Sequence, residues 1–404
     1  MSLLEDDLIG PARDLLPGVV DLRRSLHRHP ELGLDLPHTQ AAVVDALEGL
    51  GLQVSVGDGL SSVVADLEGG APGPTILLRG DMDALPMPED TGLDFASELP
   101  GVMHACGHDA HTAMLVGAAR LLSGVRDQLA GRVRFMFQPG EEGSGGAALM
   151  IDQGVLDGVD AAFALHVAPN VPSGIVAWKP GPAMASADVI EVRVTGRGGH
   201  ASTPHWAADP VPAACEIVLG LQSMVTRTVD VFDPAVLTVA KIRAGTTDNV
   251  IPEHAELTGT LRAVSERTRH AVWERISTVA DGIAAAHGCE AEVQIVEGYP
   301  VTVNDSGFAA FAASVVDATF GPGHSYEMPS PVMGAEDFSY VLQEVPGAML
   351  FLGVCPPEHP EPFAAPACHS NRMVLHEGAM ADGIALHAAV AMAYLERKGD
   401  LTRP

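Results

Sequence analysis

The stretch Thr75-Ile76-Leu77-Leu78-Arg79-Gly80-Asp81-Met82-Asp83 passes directly from β-branched and aliphatic residues into charged ones. A short apolar run of this kind fits a strand buried on both faces, and the abrupt change puts Arg79, Asp81 and Asp83 at its carboxyl end. Two later segments repeat the pattern. Val133-Arg134-Phe135-Met136-Phe137 leads to Gly140-Glu141-Glu142-Gly143, and Ala161-Ala162-Phe163-Ala164-Leu165 leads to His166. In open α/β sheets, ligands bind at such strand ends. Helices are predicted over Asp14 to His27, Thr39 to Leu50 and Thr112 to Leu122, so this part of the chain reads as an α/β domain.

After Ser186 the patterning changes. Val189 to Val194, Val236 to Ala240 and Ala255 to Arg262 alternate apolar with polar residues, which means sheets with one solvated face. Helical runs at Ala207 to Val225 and Glu266 to His287, with a last strand at Ala291 to Val296, complete the order β-α-β-β-α-β of a ferredoxin-like α+β unit. From Tyr299 the α/β character returns and ends in an amphipathic helix over Gly378 to Arg397. The expected organisation is a discontinuous catalytic domain (1-185 and 299-404) interrupted by an inserted domain (186-298).

The bulk composition excludes some partners. The chain has 404 residues, 47% of them hydrophobic, which supplies more than one core. With 52 acidic against 23 basic residues, its net charge of -29 repels nucleic acid and anionic membranes. Lysine occurs only at Lys179, Lys241 and Lys398, and no basic patch forms. The acidic residues near Met1 argue against a secretory leader, and no uninterrupted apolar run reaches membrane-span length, so a cytoplasmic location is expected. The five scattered cysteines fit reduced thiols, with Cys215 and Cys289 read as core residues.

The densest chemistry lies in Met103-His104-Ala105-Cys106-Gly107-His108-Asp109-Ala110-His111. Cys106 and His108 are borderline-soft donors on one short loop, and Gly107 lets the backbone curl so that both can reach one ion. By itself the loop has a blander alternative, a free cysteine beside surface histidines. The strand-end acids Asp81, Asp83, Glu141 and Glu142, with His166 and the late Cys368-His369-Ser370 loop, supply enough donors for two divalent ions. Paired glutamates invite a division of labour in which one binds metal and the other moves a proton. Glu141 and Glu142 could also be solvated charge, and Asp81 and Asp83 turn residues before Pro86.

Six segments carry a resemblance: Arg79 to Pro86, His104 to His111, Gln138 to Gly143, Gly198-Gly199-His200-Ala201-Ser202, Asp248-Asn249-Val250-Ile251-Pro252 and Gly334-Ala335-Glu336-Asp337-Phe338. With His27-Arg28-His29-Pro30-Glu31 near the start, they run in order over nearly the whole chain. The sequence resembles the aminoacylase/carboxypeptidase metallopeptidase superfamily, in the amidohydrolase branch of hippurate hydrolases and indole-acetyl-amino-acid hydrolases.

The resemblance implies a zinc-peptidase-like α/β catalytic domain with an inserted dimerisation domain, hence a homodimer. It implies two divalent metal ions held by Cys106, His108, Glu142, His166 and His369, with Glu141 as general base and Asp83 orienting the ligands. Other branches place a histidine where Asp81 stands and bridge the ions with an aspartate; this one uses the Cys106 thiolate near that position. A thiolate favours zinc, while manganese and cobalt suit the carboxylates. The implied substrate is an N-acyl amino acid. His200 on the insert is the implied oxyanion donor, reaching the partner subunit's site, unless it merely caps its glycine turn. Asn249 and Arg262 are the substrate-carboxylate candidates, although an arginine on a strand also serves as plain solvation. His38, His205, His287 and His387 are read as structural or surface groups, and Glu336 and Asp337 are motif residues without a derived role. A dipeptidase or aminopeptidase shares the two-metal chemistry, and a non-catalytic binding protein would share the fold.

Overall fold

A computed structural model describes residues 8–400. The chain forms two compact units. The first comprises the described residues up to Ala183, Val303–Ser330, and those from Asp337 onward; the second comprises Met184–Thr302 and Pro331–Glu336.

The first unit is built on an eight-stranded mixed sheet in the order Gln53–Val56, Val63–Glu68, Ala130–Gln138, Ala71–Asp81, Ala161–Pro172, Gly347–Cys355, Val176–Trp178, Ser325–Glu327. Its four central strands are mutually parallel, while Val63–Glu68 runs antiparallel to Ala130–Gln138. Every residue of Gly347–Cys355 is buried, which requires cover on both faces of the sheet. The parallel strands therefore end in the same direction, and the loops that follow Asp81 and Gln138 are brought side by side.

The helices Ile9–Arg28, His108–Gly124 and Met380–Glu396 pack against one another. The last of these departs from the expected amphipathic pattern, because from Met380 to Leu395 only Asp382 escapes full burial. Its small residues explain this. A Cβ at Gly383 would come within 2.2 Å of Met114 Sδ, so the glycine permits close helix packing. The helix is long and apolar enough to cross a membrane, but its surface is spent on the core of this unit. His387 is buried in it with its ring 5.4 Å from that of Phe163, a structural placement.

The second unit is a four-stranded antiparallel sheet in the order Ala235–Ala244, His254–Ala263, Asp188–Thr195, Glu290–Val296, with helices Pro210–Thr228 and Glu266–Ala286. This is the ferredoxin-like β-α-β-β-α-β order. Asp188–Thr195 alternates buried and exposed residues along its whole length, as a sheet with one solvated face must. Asp209 and Ser265 cap the two helices by accepting from Val211 N–H and Thr268 N–H. The segment Pro331–Glu336 joins this unit because Ala185 N–H donates to the carbonyls of Val332 (3.0 Å) and Gly334 (2.9 Å). One cysteine expectation fails: Cys289 is buried, but Cys215 is exposed, because its position on Pro210–Thr228 falls outside the apolar stripe of Ala213, Ala214, Ile217 and Leu221.

Candidate metal centre

Asp83 organises the loops that meet beyond the sheet. Its carboxylate oxygens accept from Glu141 N–H and Glu142 N–H, each at 2.9 Å, and its carbonyl accepts from His108 Nδ1 at 2.8 Å. That last bond fixes the histidine tautomer, with the proton on Nδ1 and the lone pair on Nε2. Nε2 is buried without a hydrogen-bond partner, 3.4 Å from Asp81 Oδ2 and 3.9 Å from Glu141 Oε2. A lone pair facing carboxylate oxygens is repulsive until positive charge arrives. The same field acts on the ring itself: burial opposes a charge on His108, but Asp81, Asp83 and Glu142 raise its pKa well above the ordinary value.

His111, in contrast, is spoken for. Its Nδ1 bonds Asp81 Oδ1 at 2.6 Å and its Nε2 accepts from Val167 N–H at 2.8 Å, so the ring is a neutral spacer with no electron pair left for a metal. Burial lowers its pKa to about 4 despite the nearby Asp81. Asp81 is held by Arg79 Nη1 at 2.6 Å. Arg79 also donates to Gln138 Oε1 (2.8 Å) and Asp337 Oδ1 (3.0 Å), and Asp337 accepts from Gln138 Nε2 (2.8 Å) and Ala147 N–H (2.9 Å). Asp337 thus acquires a role the sequence did not reveal: it pins the strand end below the Glu141-Glu142 loop. Glu336 is buried, and its carbonyl accepts from Thr302 Oγ1 at 3.4 Å.

The five residues expected as ligands converge. Cys106, His108 and His166 present donor atoms within 4.8 Å of one another, as do Cys106, Glu142 and His369, and as do His108, Glu141 and Glu142. The first two trios share one sulfur. His166 Nδ1 is committed to the Val167 carbonyl at 2.7 Å, which leaves Nε2 to face Cys106 Sγ at 3.5 Å. His369 Nε2 lies 3.2 Å from Glu142 Oε1. Burial works against the Glu142 charge, but the contact with His369 and the His108 field hold its pKa below the usual carboxylate value, while the same contact raises that of His369. An orphaned buried imidazole nitrogen, two committed tautomers and a shared sulfur fit divalent cations.

Two backbone positions enforce this geometry. Gly107 has φ +86°, and a Cβ there would lie 2.4 Å from Val167 Cγ2. His369 adopts φ +68° although it carries a side chain, and it is held by its N–H donating to the Ala105 carbonyl at 2.7 Å. Such strain costs of order 1–3 kcal/mol and persists where the surroundings impose it.

The insert residues are arranged differently. His200 sits on a two-residue strand paired with Val250, and its Nδ1 accepts from Ser202 N–H at 3.1 Å. Ala201 N–H donates to the Asn249 carbonyl at 3.1 Å, which puts His200 and Asn249 on adjoining turns; both are exposed. Arg262 is half-buried on His254–Ala263, opposite Val236, and belongs to the sheet rather than to that turn pair.

The chain is similar to known proteins. Residues 77–393 match the family described as Peptidase family M20/M25/M40. The chain is 37% identical over 398 residues to Thermostable carboxypeptidase 1 of Saccharolobus solfataricus, covering 98% of this chain and 99% of that one. It is 41% identical over 336 residues to N-acetylcysteine deacetylase of Bacillus subtilis, covering 83% and 88%. Among solved structures it is similar to a dinuclear metal-binding peptidase of the M20 family from Bacillus subtilis, with TM-score 0.82 and 35% identity over 95% of this chain and 99% of the other.

Proposed function

Because the chain belongs to peptidase family M20/M25/M40 and is a hydrolase of it, we propose that it is a two-metal amidohydrolase that cleaves N-acyl amino acids to a carboxylic acid and a free amino acid. The observation that carries this reading is the pair of donor trios sharing the Cys106 sulfur, with Glu141 beside them. Cys106, His108 and His166 would hold one ion, and Cys106, Glu142 and His369 the other. When bound, the ions supply Lewis acidity toward the amide carbonyl and lower the pKa of water.

The protein's own residues do the rest. Glu141 takes the proton of the attacking water and delivers it to the nitrogen of the departing amine. Asp83 fixes the backbone of Glu141 and Glu142 by accepting from both N–H groups, so that Glu142 would bind metal while Glu141 moves the proton. His200 would donate to the oxyanion, and Asn249, on the turn beside it, and Arg262, on the sheet apart from it, are the candidates for the substrate carboxylate. The insert would carry the contact of a homodimer, for which Ala235–Ala244 offers an exposed sheet edge.

Peptide hydrolysis is the second reading, favoured by the similarity to a carboxypeptidase. Hippurate, acetyl-methionine, indole-acetyl-alanine and a simple dipeptide, tested side by side with manganese, zinc or cobalt, separate the two. Turnover of the acylated substrates above that of the dipeptide is expected; cleavage of the dipeptide alone would replace the proposal with the peptidase reading.

A further inference from the structure

Cys368 is a second thiol at the centre that the proposed mechanism leaves unused. Its Sγ lies 3.8 Å from the carbonyl oxygens of both Cys106 and Val167, so its side chain packs directly against the Cys106 residue. The contact is tertiary, since the residues are 262 positions apart. It is also braced, because His369 N–H donates to the Ala105 carbonyl at 2.7 Å, tying together the residues that flank the two cysteines. Cys106 is buried and Cys368 half-buried, so Cys368 is the more exposed of the two. The remaining cysteines differ: Cys289 and Cys355 donate to the nearby carbonyls of His287 and Pro356, and Cys215 is exposed.

We propose that Cys106 and Cys368 form a reversible disulfide on reaction with a hydroperoxide, and that this bond and metal occupancy exclude each other. The Cys368 sulfur attacks the peroxide O–O bond, an alcohol or water leaves, and a sulfenic acid remains. The Cys106 sulfur then attacks the Cys368 sulfur and expels hydroxide, which leaves as water after taking up a proton. In sum, two thiols and one hydroperoxide give one disulfide, one alcohol (water from hydrogen peroxide) and one water; the thiols lose two electrons and the O–O bond gains them. The exclusion rests on the proposed ligand role of Cys106, because a disulfide sulfur no longer offers a thiolate to a metal. The covalent step stands without it.

The full-length protein, stripped of metal, is treated with a small excess of hydrogen peroxide and digested without reduction. A peptide linking Cys106 to Cys368 is expected, two hydrogens lighter than its parts, lost on adding dithiothreitol and absent from Cys368→Ser and Cys368→Ala. The exposed-thiol variant Cys215→Ser retains the link. Prior loading with manganese prevents it, and the oxidised protein takes up no manganese until reduced. Recovery of Cys106 as a free thiol or a sulfinic acid, with no linked peptide, overturns the proposal. A link that forms equally well with manganese bound overturns the exclusion, and with it the ligand role of Cys106, while the disulfide remains.

Discussion

His108 and Asp109 are neighbours in sequence, yet their side chains enter two buried polar clusters built on opposite rules. On the His108 side, donor atoms from separate loops converge: His108 Nε2 is orphaned beside the Asp81 and Glu141 carboxylates, and Cys106, His166, Glu142 and His369 gather within 4.8 Å in the trios described above. On the Asp109 side, charges are matched. Asp109 Oδ2 accepts from Arg23 Nε at 2.9 Å and His27 Nδ1 at 2.8 Å, Arg23 continues to Glu377 at 2.9 Å, and His27 Nε2 reaches Glu89 at 3.2 Å. The exceptions there are one Asp109 oxygen and the nitrogens of His104, which burial keeps neutral by lowering its pKa to about 3. The contrast teaches that buried charge alone does not mark a site. Convergence of imidazole, thiol and carboxylate donors from separate loops does, whereas paired charges hold the loop in place.

The sharpest way to break this distinction is on the His108 side. Glu141→Gln is expected to lower kcat about a hundred- to ten-thousand-fold while leaving metal content near that of the unsubstituted protein; steady-state kinetics with elemental analysis checks both. Unchanged turnover would remove Glu141 from proton transfer. The matching change on the other side, Asp109→Asn, removes the carboxylate that Arg23 and His27 share, leaving them only Glu377 and Glu89, and should destabilise the fold by about 3 kcal/mol in urea titrations. A loss of metal without loss of stability would show that the two clusters are not distinct.

The Asp109 side also has a pH signature. Burial works against the His27 charge, but Asp109 and Glu89 outweigh it and raise its pKa from 6.5 to about 9. Protonated His27 therefore stabilises the fold fully below pH 6.5, and this contribution is lost as pH rises through about 9. Unfolding free energies from urea titrations at about pH 6 and about pH 9.5 should differ by roughly 3 kcal/mol, a difference that His27→Gln abolishes. The smallest expected effect belongs to Asp83→Asn, which replaces one acceptor of the glutamate-loop N–H groups and should weaken metal binding about 10–100-fold by competition titration.

How far the sequence reveals this arrangement depends on whether a residue's partners are near it in the chain. The central strands announce themselves as short apolar runs with Glu142 and His166 at their ends, while Cys106 and His108 stand out as a dense donor loop before a helix, and the resemblance joins them into one proposed ligand set. The sheet carries His166 further into its strand than the pattern implies, since pairing continues past it to Pro172. Asp337 is opaque because its partners Arg79 and Gln138 lie 258 and 199 residues away. Arg23, His27 and Glu377 are hidden for the same reason: nothing in an N-terminal helix says that its arginine will be buried against Asp109, 86 positions on. The helix Met380–Glu396 misleads differently, because its few polar residues imitate an amphipathic face although nearly all of its surface is covered.

The most direct test of the account is metal stoichiometry. Equilibrium binding of manganese, read by elemental analysis after removal of free ion, should give two ions per chain in the unsubstituted protein and none in Cys106→Ala, because the two donor trios share that sulfur. Retention of both ions by Cys106→Ala would contradict it.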